Sequence, residues 1–234
     1  MKGNLKVIEG PDCSGKETQT KRLYECLKNE GIKVVCFSFP AYDTPTGKIV
    51  GGPYLGKDYI CDGWFPEGAS NVDPKVASLY YAADRKYNMH IIDEYLNSGV
   101  NVILDRYIYS NMAHQGGKIE DVEERNKMYN FIETLEFDLL ELPHADIKIF
   151  LHMPYKFSME IGKRRKEGLD QHESSERHLK NAEKSYLEIA DKYGFKTIEC
   201  ANEEIRTRED ISVDVIDYVK QALIINDKEY KKTT

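Results

Sequence analysis

One nine-residue run near the N-terminus limits what this chain can fold into more than any other feature. Gly10, Pro11, Asp12, Cys13, Ser14, Gly15, Lys16, Glu17 and Thr18 sit between an apolar run over 5–9 and a stretch with Leu23 and Leu27 four apart. A buried strand, a glycine-rich turn and a helix start, in that order, make a phosphate cradle. The glycines let backbone N–H groups converge on an anion, and the helix N-terminus adds a favourable dipole. Lys16 supplies a point charge for β- and γ-phosphates. The run departs from the pattern G-x-x-x-x-G-K-[ST] at one position. Glu17 stands where a hydroxyl would meet Mg2+, and Thr18 comes one residue later. Mg2+ prefers oxygen ligands, so a carboxylate at 17 is a candidate ligand, directly or through water.

The rest of the chain continues the alternation. Brief apolar runs at 5–9, 33–39, 101–105, 147–152 and 196–200 read as strands buried on both faces. Helical patterns cover 16–30, 74–97, 120–140, 174–193 and 207–225, the second opening with Asp73 as N-cap and Pro74 at its first position. This order predicts an α/β fold, a five-stranded parallel sheet with helices on both faces. Residues 47–74, with six glycines and three prolines, read as a long connection, and 226–234 as a frayed polar tail. No stretch reads as a domain boundary, so 1–226 is expected to be one domain, followed by a C-terminal tail at 227–234. Composition narrows the function classes. At 234 residues, 41% hydrophobic and 31% charged, the chain has enough apolar material for a core. Its net charge of −7 argues against coating nucleic acid. No apolar run reaches the ~18 residues of a membrane span. The N-terminus lacks the pattern of a secretory signal. Five scattered cysteines without a CxxC read as reduced thiols, which implies a cytoplasmic protein. No His/Cys spacing suggests zinc.

Four segments carry a resemblance: IEGPDCSGKETQ (8–19), SFPAYDTPTGKIV (38–50), LYYAADRKY (79–87) and DRYIYSNMAHQGG (105–117). In these, and in this order, the chain resembles the thymidylate kinases, a family of P-loop nucleoside monophosphate kinases. A weaker match is the basic stretch from Lys163 with the LDQHESSERH segment after it. The resemblance implies a three-layer P-loop NTPase fold with a small lid over about 155–178. It implies ATP as phosphoryl donor, Mg2+ and a homodimer acting on small-molecule nucleotides.

The resemblance also implies roles. Gly10 to Thr18 would hold ATP, and Asp12 would also contact the acceptor's 3′-hydroxyl. Arg106 would hold the acceptor phosphate, and its planar fork suits one. Asp105 would organise Mg2+ or its waters, beside Glu17. Phe39 would lie in the acceptor pocket. The arginine that commonly follows the family's Phe-Pro pair is replaced by Ala41 and then Tyr42, whose hydroxyl is a substitute. Tyr81 would stack on thymine and Arg85 would bind its O4 edge. The two lie four apart on one helical face. Ser110, Asn111, His114 and Gln115 would line the same pocket, with His114 where the family often has tyrosine. Lys16 and Arg106, with Arg164 or Arg165 from the lid, would neutralise charge in the transition state.

The reading expected from these residues is transfer of the γ-phosphoryl of ATP to dTMP, giving dTDP and ADP. The departures at 41 and 114 keep open another acceptor on the same fold, such as dUMP. Glu17 keeps open a nucleotide-binding regulator that has lost catalysis. A GTPase is disfavoured because Asn126-Lys127 is followed by Met-Tyr rather than completing N-K-x-D.

Overall fold

The computed structural model describes residues 2–163 and 176–233. Five parallel strands, β1 (Leu5–Glu9), β2 (Val34–Ser38), β3 (Asn101–Asp105), β4 (Ile147–His152) and β5 (Lys196–Glu199), form one sheet in the order β2-β3-β1-β4-β5. The helices are α1 (Lys16–Asn29), α2 (Pro45–Ile49), α3 (Pro74–Asn97), α4 (Ile108–Gly116), α5 (Val122–Glu133), α6 (Tyr155–Lys163), α7 (Glu176–Lys192) and α8 (Arg208–Thr233).

Strand alternation divides the core between the two faces of the sheet. Leu5, Val7, Val102, Leu104 and Phe150 meet Met89, Ile92 and Leu96 of α3, Met112 of α4, Met128 and Ile132 of α5, and Tyr186 and Ile189 of α7. On the other face Ile8, Ile103, Ile149, Leu151 and Ile198 meet Leu23 and Leu27 of α1 and Ile211, Val215 and Val219 of α8. The three layers are those expected from the alternating pattern.

Three expectations need correction. The stretch 47–74 is not a long open connection. It holds part of α2, a π-helical turn (Val50–Tyr54) and a 3-10 turn (Ala69–Asn71), and Val50, Tyr54, Leu55, Ala69 and Val72 bury a third apolar cluster with Ala77 of α3. Gly47 is needed there because a Cβ would lie 1.9 Å from the Ala41 carbonyl oxygen. The helix expected over 120–140 ends at Glu133 and passes into a π-helical turn, Thr134–Leu139. The backbone of α8 runs on to Thr233, so 226–233 continues a helix rather than fraying from it.

The order of the strands positions the site. β1 lies between β3 and β4, and the chain leaves it in different directions on its two sides, which opens a crevice beyond the strand C-termini. Gly10, Phe39 and Arg106 all follow directly on strand ends there.

Candidate active site

The loop after β1 is held open by its glycines. A Cβ at Gly10 would lie 2.6 Å from both the Leu151 carbonyl oxygen and Ser14 Oγ, so only hydrogen fits. Gly15 enters α1 with φ 85°, a left-handed conformation, and no side chain caps the helix. Its first N–H groups therefore face the crevice without a side-chain acceptor, an arrangement suited to phosphate. Lys16 is buried and donates from Nζ to the Pro11 carbonyl at 2.7 Å. Burial, reinforced by Arg106, pushes its pKa down to about 8, while Asp12 and Asp105 pull the other way. An arriving phosphate supplies the counter-charge that burial has removed. Ser14 Oγ and Asp105 Oδ1 are buried with no hydrogen-bond partner among the described residues. Burial also raises the Asp105 pKa, against the pull of Lys16 and Arg106. Glu17 is exposed and accepts from Lys21 at 2.6 Å. It lines, with Thr20, Cys36, Asp105 and Arg106, a cleft of about 470 Å3. Cys13 and Thr18 are half-buried.

Arg106 joins the loop to the second half of the site. Its backbone is left-handed, φ 68°, a conformation an L side chain adopts at a cost and keeps where the surroundings hold it. The guanidinium is ion-paired with Asp12, and Nη1 lies 3.2 Å from both Ser110 Oγ and Tyr186 Oη and 3.4 Å from the Gly10 carbonyl. Beneath it Glu9 is fully buried. Its carboxylate accepts from the backbone N–H of Tyr107 at 2.8 Å and of Ser110 at 3.1 Å, and from Ser110 Oγ at 2.5 Å. Burial raises the Glu9 pKa, and Ser110 and Arg106 oppose the rise. The acid thus sits at the N-terminus of α4 and fixes where Arg106 and Ser110 stand.

A narrow pocket opens on the far side of Arg106. Asp12, Phe39, Pro40, Tyr42, Tyr81, Arg85, Ser110, Asn111 and His114 line it. Tyr81 meets Tyr54 edge to face, with ring centroids 5.7 Å apart. Arg85 is buried and paired with Glu136 by two bonds, Nε to Oε2 at 2.5 Å and Nη2 to Oε1 at 2.6 Å. Asn111 Nδ2 donates to the same Oε1 at 2.9 Å, and Asn111 Oδ1 is buried with no hydrogen-bond partner among the described residues. The loop after Phe39 is tied to α3 by Asp84, which accepts from Ala41 N at 2.8 Å and Thr46 Oγ1 at 2.9 Å. Tyr42 lines both clefts, and Lys57 Nζ lies 5.2 Å from its ring centroid.

The residues expected at the acceptor end thus converge on one pocket, with one exception. Gln115 is fully buried behind the lining, and neither end of its amide has a hydrogen-bond partner among the described residues. Arg164 and Arg165 lie outside the described residues. Glu9, Asp84, Glu136 and Tyr186 were not anticipated. The signal for Glu9 was present, an acid inside an apolar strand. Glu136 stands four residues after the buried Ile132 and so also announces a buried acid on an apolar face.

An uncapped helix behind a glycine loop, and a polar-floored aromatic pocket that meets it at one arginine, are the two halves of a P-loop nucleotide kinase site. The comparisons narrow the class. The family model described as thymidylate kinase matches residues 8–211. A probable thymidylate kinase of Thermococcus kodakarensis is 32% identical over 204 residues, covering 86% of this chain and 91% of its own. The thymidylate kinase of Schizosaccharomyces pombe is 28% identical over 224 residues, covering 95% and 94%. Among solved structures, the thymidylate kinase of Candida albicans, a protein described as having broad substrate specificity, aligns with a TM-score of 0.72 at 25% identity, covering 94% of this chain and 92% of that one. The chain belongs to the thymidylate kinase family and is a nucleoside monophosphate kinase.

Proposed function

We propose that the protein transfers the γ-phosphoryl group of ATP to dTMP, giving dTDP and ADP. The observation that carries this reading is the meeting of the two clefts at Arg106. ATP phosphates lie on the loop 10–18, with Lys16 and the α1 N–H groups. The acceptor base lies against Tyr81 and Phe39, with its polar edge toward Arg85 and Asn111. Glu136 takes the Nε–H and one Nη2–H of Arg85, so the outward N–H groups of Nη1 and Nη2 are the donors left for the base, and the ion pair fixes their direction. A fixed donor selects a carbonyl at the 4-position of a pyrimidine over an amino group, which would leave two donors facing each other. The acceptor phosphate lies against Arg106, in line with the γ-phosphoryl group. The transfer forms one P–O bond as the bond to ADP breaks, and no enzyme intermediate is needed.

Mg2+ bound with the ATP would neutralise phosphate charge. Asp105, with a buried carboxylate oxygen that has no hydrogen-bond partner among the described residues, and Glu17, on the same cleft wall, would hold it. Two carboxylates completed by phosphate oxygens suit this ion.

The deciding measurement is ADP formation from ATP–Mg2+ with dTMP, dUMP, UMP, dCMP, dGMP and AMP in parallel, with a control lacking acceptor. Preference for dTMP is expected. Equal or greater use of dUMP, of interest given the breadth described for the Candida protein, would keep the kinase and overturn the acceptor. Nucleotide binding without ADP formation would make the protein a regulator.

We also propose a homodimer formed through α3. Leu79, Tyr87, Ile91 and Tyr95 are exposed at spacings of eight and four along that helix, one outward stripe. A cytoplasmic location agrees with five free cysteines and with the lack of any described helix long and apolar enough to cross a membrane. The acidic net charge agrees with small nucleotides rather than nucleic acid as partners.

A further inference from the structure

His114 stands on the pocket wall one helical turn after Asn111. Its ring lies edge to edge with that of His178 from α7, with centroids 5.4 Å apart and planes 15° from parallel. His114 Nδ1 lies 3.1 Å from His178 Nε2, and His114 Nε2 lies 3.5 Å from Arg106 Nη1. A guanidinium only donates and keeps its charge. Its position disfavours a proton on His114 Nε2, so that nitrogen accepts and the His114 proton sits on Nδ1. That proton points at His178 Nε2, which must then accept, placing the His178 proton on its own Nδ1. One immovable charge sets two tautomers in turn.

We propose that His178 is a positioning residue for the acceptor nucleotide: it holds the His114 ring, as its Nδ1–H tautomer, at the orientation the acceptor sugar meets. Tyr81, Arg85 and Asn111 mark the base end of that reading and Arg106 the phosphate end, and His114 lines the same pocket with its Nε2 beside Arg106. His178 itself is buried in the α4–α7 contact and does not line the pocket. The proposal rests on the reading of the pocket as a nucleotide acceptor site.

The test uses His178→Ala and His178→Gln in the full chain, with thermal melts to check folding. His178→Ala is expected to raise KM for dTMP about five- to tenfold, with kcat and KM for ATP changed by less than about twofold, the size of one lost hydrogen bond. Glutamine places Oε1 where Nε2 stood, so His178→Gln is expected to bring KM back to within about threefold of the native value. Nitrogen-15 spectra of the imidazoles in the nucleotide-free protein give a second readout. They are expected to show His114 protonated on Nδ1 in the native protein and in His178→Gln, and a shift toward the Nε2–H form in His178→Ala. A native His114 protonated on Nε2 would overturn the proposal. So would an unchanged KM in His178→Ala, or an equal loss in both variants. The spectra need no substrate, so failure of the dTMP assignment would leave the tautomer result standing and the two failures distinguishable.

Discussion

Arg85 has 2% of its side chain exposed, and a guanidinium so placed is tolerated only with an anion against it. Glu136 is that anion, and both of its oxygens are engaged by Arg85, one of them also by Asn111. Glu136→Gln removes the charge and, whichever way the amide turns, sets an N–H against an N–H or guanidinium donor. The expected loss is about 3–5 kcal/mol of unfolding free energy, read as a lower urea midpoint, because one charge is left buried alone. KM for dTMP is expected to rise as Arg85 loses its direction. A midpoint within error of the native protein would mean that the pair does not hold the pocket floor. At this scale the sequence showed both halves of the Arg106–Asp12 pair but only one half of the Arg85–Glu136 pair. Arg85, Arg106, Asn111 and Asp12 were legible because the family resemblance lies in short runs that contain them. The pairings of Glu136 and Tyr186 were not, because their partners are 51 and 80 residues away and only the packing of α3, α4, α7 and the turn after α5 brings them together.

At the scale of elements, a single lysine ties the 47–74 segment to α4. Lys118, just beyond α4, donates to the carbonyls of Ala69 at 3.0 Å and Val72 at 2.9 Å, and lies 3.4 Å from Tyr54 Oη. Burial lowers its pKa to about 8, and Asp73 opposes the change. Tyr54 in turn backs Tyr81, so the clamp sets one wall of the base pocket at second hand. Lys118→Met keeps the stem and removes the donor. It is expected to raise KM for dTMP several-fold with KM for ATP unchanged, and to speed amide hydrogen exchange at Tyr54 and Ala69. Unchanged exchange would show that the apolar cluster alone holds the segment. All five strands were legible to within a residue or two at their ends, since brief apolar runs between amphipathic stretches leave few other readings. The 47–74 segment was not. Its glycines suggested slack, but Gly47, Gly51 and Gly52 are there because other atoms lie within 3 Å of where a Cβ would be. Composition cannot separate a loose loop from a tightly packed one. The C-terminal helix was cut short for a related reason: a polar run reads as frayed, although polar residues are compatible with a helix whose apolar face is anchored upstream.

At the scale of the whole molecule the helical layers on both sheet faces were legible from the alternation of strands and helices, but the uses of the outer surfaces and of buried charge were not. If the α3 stripe is the dimer face, Leu79→Glu with Tyr87→Glu is expected to halve the mass measured by light scattering, and a native protein already at the mass of one chain would exclude the dimer. Buried charge makes a prediction about pH. Lys6 lies inside β1 with no exposed area, its Nζ 2.7 Å from Asn101 Oδ1. Burial lowers its pKa from 10.5 to about 8, with Asp146 opposing. Between those two values the unfolded chain keeps a proton at this position that the folded chain has released. Stability then rises with pH across the window, since the unfolded state binds more protons there. Below about 8 both states carry the proton and the folded state bears the full desolvation cost. Cys200, raised to about 12 by burial, acts in the opposite direction from about pH 9 upward, so the native curve alone does not isolate the lysine. The difference between proteins does. Lys6→Met has no proton to lose, and its unfolding free energy relative to the native protein is expected to fall as pH goes from 8 to 10.5, by at most about 3 kcal/mol. Paired urea titrations at pH 7.5, 8.5, 9.5 and 10.5 measure it. A difference that stays flat over that series would show that Lys6 keeps its proton in the fold, with Asn101 and Asp146 compensating its burial in full.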